Sequence, residues 1–396
     1  MNFLGYRRPD GSVGTRNIVV VLPTIGCANE IANRIAKAVP QSCAMPHNHA
    51  CIRLGKDSLR ARDTLIGIGR NPNIAAVLLV GLGCEPIKAE ELQKEIGKTG
   101  KPTMRVVLEE LGDYDTVVRE GIRAAQILCG QAMCLRREPC SLSDLTIGIK
   151  CGGSGAVSAV SSNPAVGMAA DMLIQQGGKV IFTETAELIG AEHVLAKRGV
   201  TPQVSRDLLD VVADLKAEIA RYGVDLLGSE PTQGNIRNGL TTIEEKSLGA
   251  IVKGGTMPLS GVLRYAQKPA LPGLYFMDGT TQASQLFLGM FAAGAQIQIF
   301  SMGGGLPAKI RGLPSYPPGF TALPVLKVLG SCDDEAEKPY FDVYAGDILK
   351  GSESIQQVGK RIFDTIIATA SGQETCTDQQ GDYREMLQFY ANGLLM

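Results

Sequence analysis

Short β-branched apolar runs recur along this chain, each followed by a glycine-rich turn and then by a stretch of helical periodicity. IVVVLP (18–23) leads through TIGCANE into EIANRIAKAV, and AAVLLV (75–80) leads through GLGCEP into IKAEELQKEIG. TMRVVL (103–108) precedes a helix predicted around 114–129. The pattern restarts at LTIGIK (145–150) and continues with KVIFTE (179–184), GLYFMD (273–278), AQIQIF (295–300) and PVLKVL (324–329). Unbroken apolarity, as opposed to alternation, means strands buried on both faces. The expectation is therefore an α/β fold of parallel sheets covered by helices on both faces. The polar, proline-containing stretch RREPCSLSD (136–144) interrupts the pattern and is read as the boundary between domains 1–142 and 143–396. The segment 350–396 reads as helices around a polar loop.

Charge and composition exclude several function classes. Lys+Arg is 39 against 40 for Asp+Glu, so nothing draws the chain to nucleic acid. No apolar run approaches the ~20 residues of a membrane span, and the N-terminus has no signal-peptide core, so no membrane partner and a cytoplasmic location are expected. In such a compartment ten cysteines are packing residues, metal ligands or reactive thiols, not a disulfide framework. Neither a dinucleotide fingerprint nor a Walker motif is present, so no nucleotide is expected.

In open α/β sheets ligands bind beyond the carboxyl ends of the strands. The residues falling there are Cys27, Cys84, Cys151, Glu184, Asp278 and the run Gly303-Gly304-Gly305. PHNHAC adds His47 and Cys51 at a spacing that can supply two ligands to one borderline metal; buried packing is the other reading of Cys51. FTETAELIGAEH carries Glu184 and Glu187 one helical turn apart, then Glu192 and His193; Glu187 and Glu192 can equally be acids at a helix start. After the strand ending in Lys150-Cys151, the amides of Gly152, Gly153 and Ser154 suit an anion. Lys246 and Lys253, seven apart after a cap at Thr241, can clamp a carboxylate or act as bases if buried; ordinary solvated lysines are the alternative.

These segments, in order, resemble the altronate/galactarate dehydratase family: GYRRPDGSVGTRN, HNHAC, NPNIAAVLLVGLGCE, KCGGS…SSNPAVG, FTETAELIGAEH, GNIRNGLTTIEEKSLGAIVKGGT, AAGAQIQIFSMGGGLP and DVYAGDIL. The resemblance implies an iron-dependent lyase with an N-terminal α/β domain used in homodimer contacts and a C-terminal Rossmann-like domain. It implies Fe2+, with Mn2+ or an iron–sulfur cluster as further fits, in a site drawn from His47, Cys51, Cys84 and Cys151. Glu184, Glu187, His193, Lys246 and Lys253 are then the catalytic candidates. Arg16, Asn17, Gly152, Gly153, Ser154 and Asn163 are the candidates for binding a small acidic substrate. Some members carry a β-rich domain before GYRRPDG, where this chain begins, so a separate small β-rich subunit is expected. The implied reaction is loss of water from altronate or galactarate to a 2-keto-3-deoxy acid. The alternatives are loss of sulfite from (2R)-sulfolactate to pyruvate, as in a related two-subunit lyase, or non-catalytic binding of a sugar acid. Gly155, Ala50 and Ser301-Met302-Gly303 depart from the family pattern in loops that bear on substrate choice.

Overall fold

The computed structural model describes the 396 residues apart from Ala50, Ile52, Leu54 and the segments 224–229, 305–319, 332–334, 381–386 and 392–396; Gly305 therefore lies outside the described residues. The first strands are β1 (Asn2–Arg7), β2 (Val13–Gly14), β3 (Ile18–Pro23), β4 (Ser42–Ala44), β5 (Ile74–Gly81), β6 (Thr103–Val107) and β7 (Glu138–Ser141). They are followed by β8 (Thr146–Gly152), β9 (Lys179–Thr183), β10 (Leu259–Leu263), β11 (Gly273–Met277), β12 (Ile297–Met302), β13 (Val325–Leu329) and β14 (Val343–Tyr344).

Two parallel sheets result. The N-terminal one has the order β4-β3-β5-β6, and the C-terminal one has seven strands in the order β10-β11-β9-β8-β12-β13-β14. The long apolar runs become the inner strands because both of their faces are covered; every residue of β5 is buried. The helix Ser162–Gln175 packs on one face of the large sheet, in a core with Ile147, Ile149, Phe182 and Phe276. On the other face, the helix Ala283–Ala292 contributes Phe287 and Phe291 to a core that runs on into Leu22, Val77 and Leu79 of the small sheet. One apolar core thus joins the two sheets, and each fully buried Leu or Phe in it contributes about 1.5–3 kcal/mol.

The stretch read as a boundary is itself structured. Its residues Glu138–Ser141 form β7, which pairs antiparallel with β1 in a third sheet of order β2-β1-β7. Exposure of one side of this ribbon explains its polar sequence. Three parts of the family pattern also turn out to lock the architecture. Asn73 of NPNIAAV donates to Gln296 O and Ala322 O, both at 2.8 Å, and accepts from Thr15 N at 2.8 Å. Arg16, expected to hold substrate, instead donates to Thr369 O and pairs with Asp378 at 2.9 Å. Asn17 donates to Ala132 O and accepts from Arg8. Guanidinium and amide groups committed to buried carbonyls satisfy the backbone, and among the described residues no bond ties either side chain to the strand-end groups described below.

Candidate active site

The carboxyl ends of β8 and β9 lie side by side, since the two strands pair in parallel with Ile149 opposite Phe182. The chain leaves β8 through Cys151 and leaves β9 through Glu184. Glu184 has φ 91°, in the left-handed region. A non-glycine residue there costs about 1–3 kcal/mol and persists only where the surroundings hold it. The turn then tightens into a 3-10 helix, Thr185–Leu188, which places Glu187 beside Glu184. Lys253 comes from another short 3-10 turn, Val252–Gly254, at the end of the helix Ile243–Ile251 that carries Lys246.

These side chains converge. Lys253 Nζ stands 2.7 Å from Glu187 Oε2, 3.0 Å from Cys151 Sγ and 3.2 Å from Glu184 Oε2. Cys151 Sγ is 3.0 Å from Glu187 Oε2. Lys150 Nζ, on the same strand as Cys151, binds Glu184 Oε1 at 2.7 Å. Lys246 lies 3.9 Å from Glu187 and pairs closely with Glu230. Ser154 Oγ reaches Glu187 Oε1 at 3.5 Å. Cys151, Glu184, Glu187, Lys150 and Lys253 are all buried, with Lys253 at 1% exposure. Charges so buried survive only when paired, and here two carboxylates face three ammonium groups, one of which is shared with Glu230.

The surroundings push the groups in different directions. Burial alone raises a carboxyl; for Glu187 the ammonium groups of Lys253, Lys246 and Lys150 outweigh it and hold the acid well below its usual range. Glu184 goes the other way, raised by burial and by the charge of Glu187 against the opposing Lys150 and Lys253. Burial and Glu187 also raise the Cys151 thiol. Lys253, which burial would lower, is raised well above its ordinary value by Cys151, Glu187 and Glu184 around it. Two adjacent carboxyls driven apart, with one poised to exchange a proton, are the signature of acid/base chemistry. Cys151, Glu184 and Glu187 also bring three ligand atoms within 4.8 Å of one another, an arrangement that could hold a metal ion.

The family resemblance groups Cys151 with His47, Cys51 and Cys84, and the structure separates them. Among the described residues Cys151 converges with the two glutamates and with none of those three. His47 has no nitrogen to spare: its Nδ1 accepts from His49 N at 3.2 Å, so its Nε2 carries the proton and donates to Pro23 O at 2.7 Å. Burial lowers this histidine to about 4, which keeps it neutral. Cys51 and Cys84 are exposed. His193 is also exposed, on the short helix Glu192–Ala196, with no bond to the cluster. Asn163 is buried, but its amide donates to Gly249 O and accepts from Ser301, which makes it a brace between elements. The helix cap read at Thr241 is made by Thr242, with Thr241 binding Glu245 one residue earlier. Gly152 ends β8 and Gly153 adopts φ +56°, 2.8 Å from Gly304 O for an added Cβ, so only glycine fits there. The helix that follows has only five residues, Ala156–Val160.

Two members of this constellation went unnoticed in the sequence. Lys150 closes an apolar strand, and a lysine at such a place signals a buried anion opposite it, here Glu184. Glu230 had no local motif to mark it.

Comparison with known proteins identifies the family. Residues 142–392 match the D-galactarate/altronate dehydratase C-terminal family, and residues 5–133 match the D-galactarate dehydratase/altronate hydrolase second domain. The chain is 36% identical to (2R)-sulfolactate sulfo-lyase subunit beta of Chromohalobacter salexigens over 97% of its own length and 96% of that protein. It is 30% identical to altronate dehydratase of Escherichia coli, covering 97% of this chain and 77% of that one. Against galactarate dehydratase (L-threo-forming) of Escherichia coli the identity is also 30%, over 98% and 76%. These relatives are lyases by name, and the chain belongs to the D-galactarate/altronate dehydratase family.

Proposed function

We propose that this chain is the large subunit of a lyase that removes the proton α to the carboxylate of a small 2-hydroxy acid and expels sulfite from the neighbouring carbon. The observation that carries the reaction type is the buried convergence of Lys253 on Glu187, Glu184 and Cys151 at the strand ends. A proton α to a carboxylate is very weakly acidic, so the site must supply both a base and compensation for the charge that develops. Glu184, the carboxyl raised by its surroundings, takes the proton. Lys253 and Lys246 face the negative charge as the enolate forms. The C–H bond at C2 breaks, its electron pair forms the C2–C3 double bond, and the C3–S bond breaks to release sulfite. Enolpyruvate then tautomerises to pyruvate, taking a proton at C3 as it gives up the proton of its hydroxyl. Lys150 holds Glu184 in place throughout, and burial keeps water from the enolate.

The family resemblance brings iron into the reading, and the donor set fits a borderline divalent ion such as Fe2+ or Mn2+. Cys151 and Glu187 would hold such an ion, with Glu184 within reach as a third donor. Bound there, it would supply Lewis-acid polarisation of the substrate carboxylate. Lys253 Nζ lies among the same three atoms, so ammonium and metal ion compete for one centre.

Sulfite, not water, is chosen as leaving group because the identity to the sulfo-lyase subunit, 36%, exceeds the 30% to the sugar-acid dehydratases. The same likeness supports a separate partner subunit. The reading as a binding protein without activity finds no support in so dense a set of buried titratable groups. The test is to incubate the chain, expressed with and without a candidate small subunit and with Fe2+ or Mn2+, with (2R)-sulfolactate, altronate and galactarate. Sulfite and pyruvate from sulfolactate are expected. A 2-keto-3-deoxy acid from either sugar acid instead would move the chain to the dehydratases, and no product from any of the three would reject the lyase reading.

A further inference from the structure

A second concentration of charge lies where the two sheets' helices and turns meet, on residues that the mechanism above does not use. A cavity of about 490 Å³ lies between the helix Lys56–Arg70, which covers the small sheet, and the turn 264–268 that follows β10. A cavity of about 310 Å³ adjoins it, and Gly67, Arg70, Lys268 and Ala292 line both, so the two form one groove. Cavities of this size hold ordinary small molecules. The turn is held in a strained form. Ala266 is buried with φ 64°, in the left-handed region that a residue other than glycine enters only at a cost, and such strain gathers where a ligand is held. Two bonds maintain it: the buried Tyr265 donates its hydroxyl to Gln285 O, and Gln267 Oε1 accepts from Arg264 N at 3.0 Å. The result is that Arg264 and Lys268 stand exposed in the groove wall.

The charges of this groove do not balance. Arg60 pairs with Asp57, Arg62 with Glu91 and Asp63, and Arg70 with Glu95, while Asp278 accepts from Thr185 Oγ1. Glu95 also serves Lys98 of the adjoining cavity at 2.6 Å, so two cations share one carboxylate. Among the described residues, Lys56, Arg264 and Lys268 are left without a carboxylate partner. Two further cations are buried behind Asn71 and Pro72 of the same wall. Lys101 donates to Asn71 O at 2.6 Å, and Arg8 donates to Pro72 O at 2.7 Å. Their acceptors are neutral, although buried cations are ordinarily paired with an acid. Burial lowers Arg8 to about 10 and pushes Lys101 well below its ordinary range, and the charges of Arg8, Lys268 and Arg70 push Lys101 lower still. Asp10, exposed in the wall, offsets them only in part. Exposed lysines alone are commonly just solvated. A cavity, a strained turn that presents two cations to it, and an excess of buried positive charge behind its wall together ask for an anion.

We propose that this groove binds a small molecule carrying two or more carboxylate or phosphate groups, held by Arg264 and Lys268 of the turn and by Lys56 of the helix. The occupant bridges an element of the small-sheet domain and an element of the large-sheet domain. The groove shares no residue with the Cys151 centre, so the proposal stands or falls without the lyase reading. The test is calorimetric titration of the full chain with citrate and with inorganic pyrophosphate, beside NaCl at matched ionic strength, together with thermal melts. Saturable binding of at least one of the two is expected, weakened by added salt and accompanied by a higher melting temperature. Tighter binding of citrate assigns the site to polycarboxylic acids, and tighter binding of pyrophosphate assigns it to phosphorylated metabolites. The double variant R264A/K268A should bind at least about tenfold more weakly, as loss of bonds to charged groups requires. Both side chains are exposed, so circular dichroism should show the fold intact. C151S should bind as wild type does, and so should K37A, which removes an exposed cation outside the groove in the last turn of the helix Asn29–Ala38. Absence of saturable binding with both anions, an unchanged affinity in R264A/K268A, or an equal loss in K37A would overturn the proposal.

Discussion

The two parallel sheets end in opposite ways. At the carboxyl end of the large sheet, Cys151, Glu184, Glu187 and Lys253 are buried and saturated with partners drawn from the protein itself. At the carboxyl end of the small sheet, Cys27, Cys51 and Cys84 are exposed and unpartnered among the described residues. The topology is shared, and the difference lies in what satisfies the polar groups. A buried ionic cluster fixes its own geometry, because removing one of its carboxylates or ammonium groups leaves an uncompensated charge in a low dielectric. The exposed thiols of the small sheet face solvent and fix no such geometry.

That contrast is sharpest at Lys253. Lys253→Met should lower turnover by about 10²–10⁴-fold and destabilise the fold by about 3–5 kcal/mol, since two buried carboxylates lose their shared ammonium. Steady-state rates and a thermal melt measure the two effects; a variant with wild-type rate would break the comparison, because the buried end would then be only structural. A comparable but purely structural loss is expected at the joint between the sheets. Asn73→Ala strips partners from Thr15 N, Gln296 O and Ala322 O, for a cost of at least about 3 kcal/mol. Denaturant unfolding should show it without a change in the pH profile of turnover.

His47 should report through pH. Its folded value, lowered by burial to about 4, lies below the ordinary 6.5. The unfolded chain therefore binds the proton more readily between these values. The contribution of His47 to stability is present in full above pH 6.5 and is lost as pH falls towards 4, on the order of 3 kcal/mol. Melting temperatures of wild type and His47→Gln at pH 7 and pH 4.5 should converge at the lower pH; a constant gap would mean that His47 is not held neutral. The smallest effect belongs to His193→Ala, which should change turnover less than about twofold, because an exposed histidine without a bond to the cluster contributes little. A large loss there would mean that the candidate site extends beyond the buried groups.

Much of the fold was legible because unbroken apolar runs such as IVVVLP and AAVLLV admit few structures other than inner parallel strands. The ribbon of β1, β2 and β7 was not, since a polar strand on an edge carries no periodic signal distinguishable from a linker. At the site, Glu184, Glu187, Lys246, Lys253 and Cys151 were named from strand-end position and spacing. The two glutamates and two lysines are grouped there as catalytic candidates, but Cys151 is assigned to a different set, because its meeting with Lys253 is set by the packing of turns some 100 residues apart. His47 misled for a local reason: its ring completes a loop through Pro23 and His49, and spacing alone does not show which nitrogens are already occupied.

The central claim is that the buried end of the large sheet takes the α proton. It is tested most directly by following exchange of that proton in (2R)-sulfolactate deuterated at C2, with the metal-loaded chain and its partner subunit, for wild type, Glu184→Gln and Glu187→Gln. Wild type should wash out deuterium or release sulfite with an isotope effect. Glu184→Gln should lose both while keeping bound metal, and Glu187→Gln should lose metal and turnover together. Deuterium loss at the wild-type rate in Glu184→Gln would contradict the account.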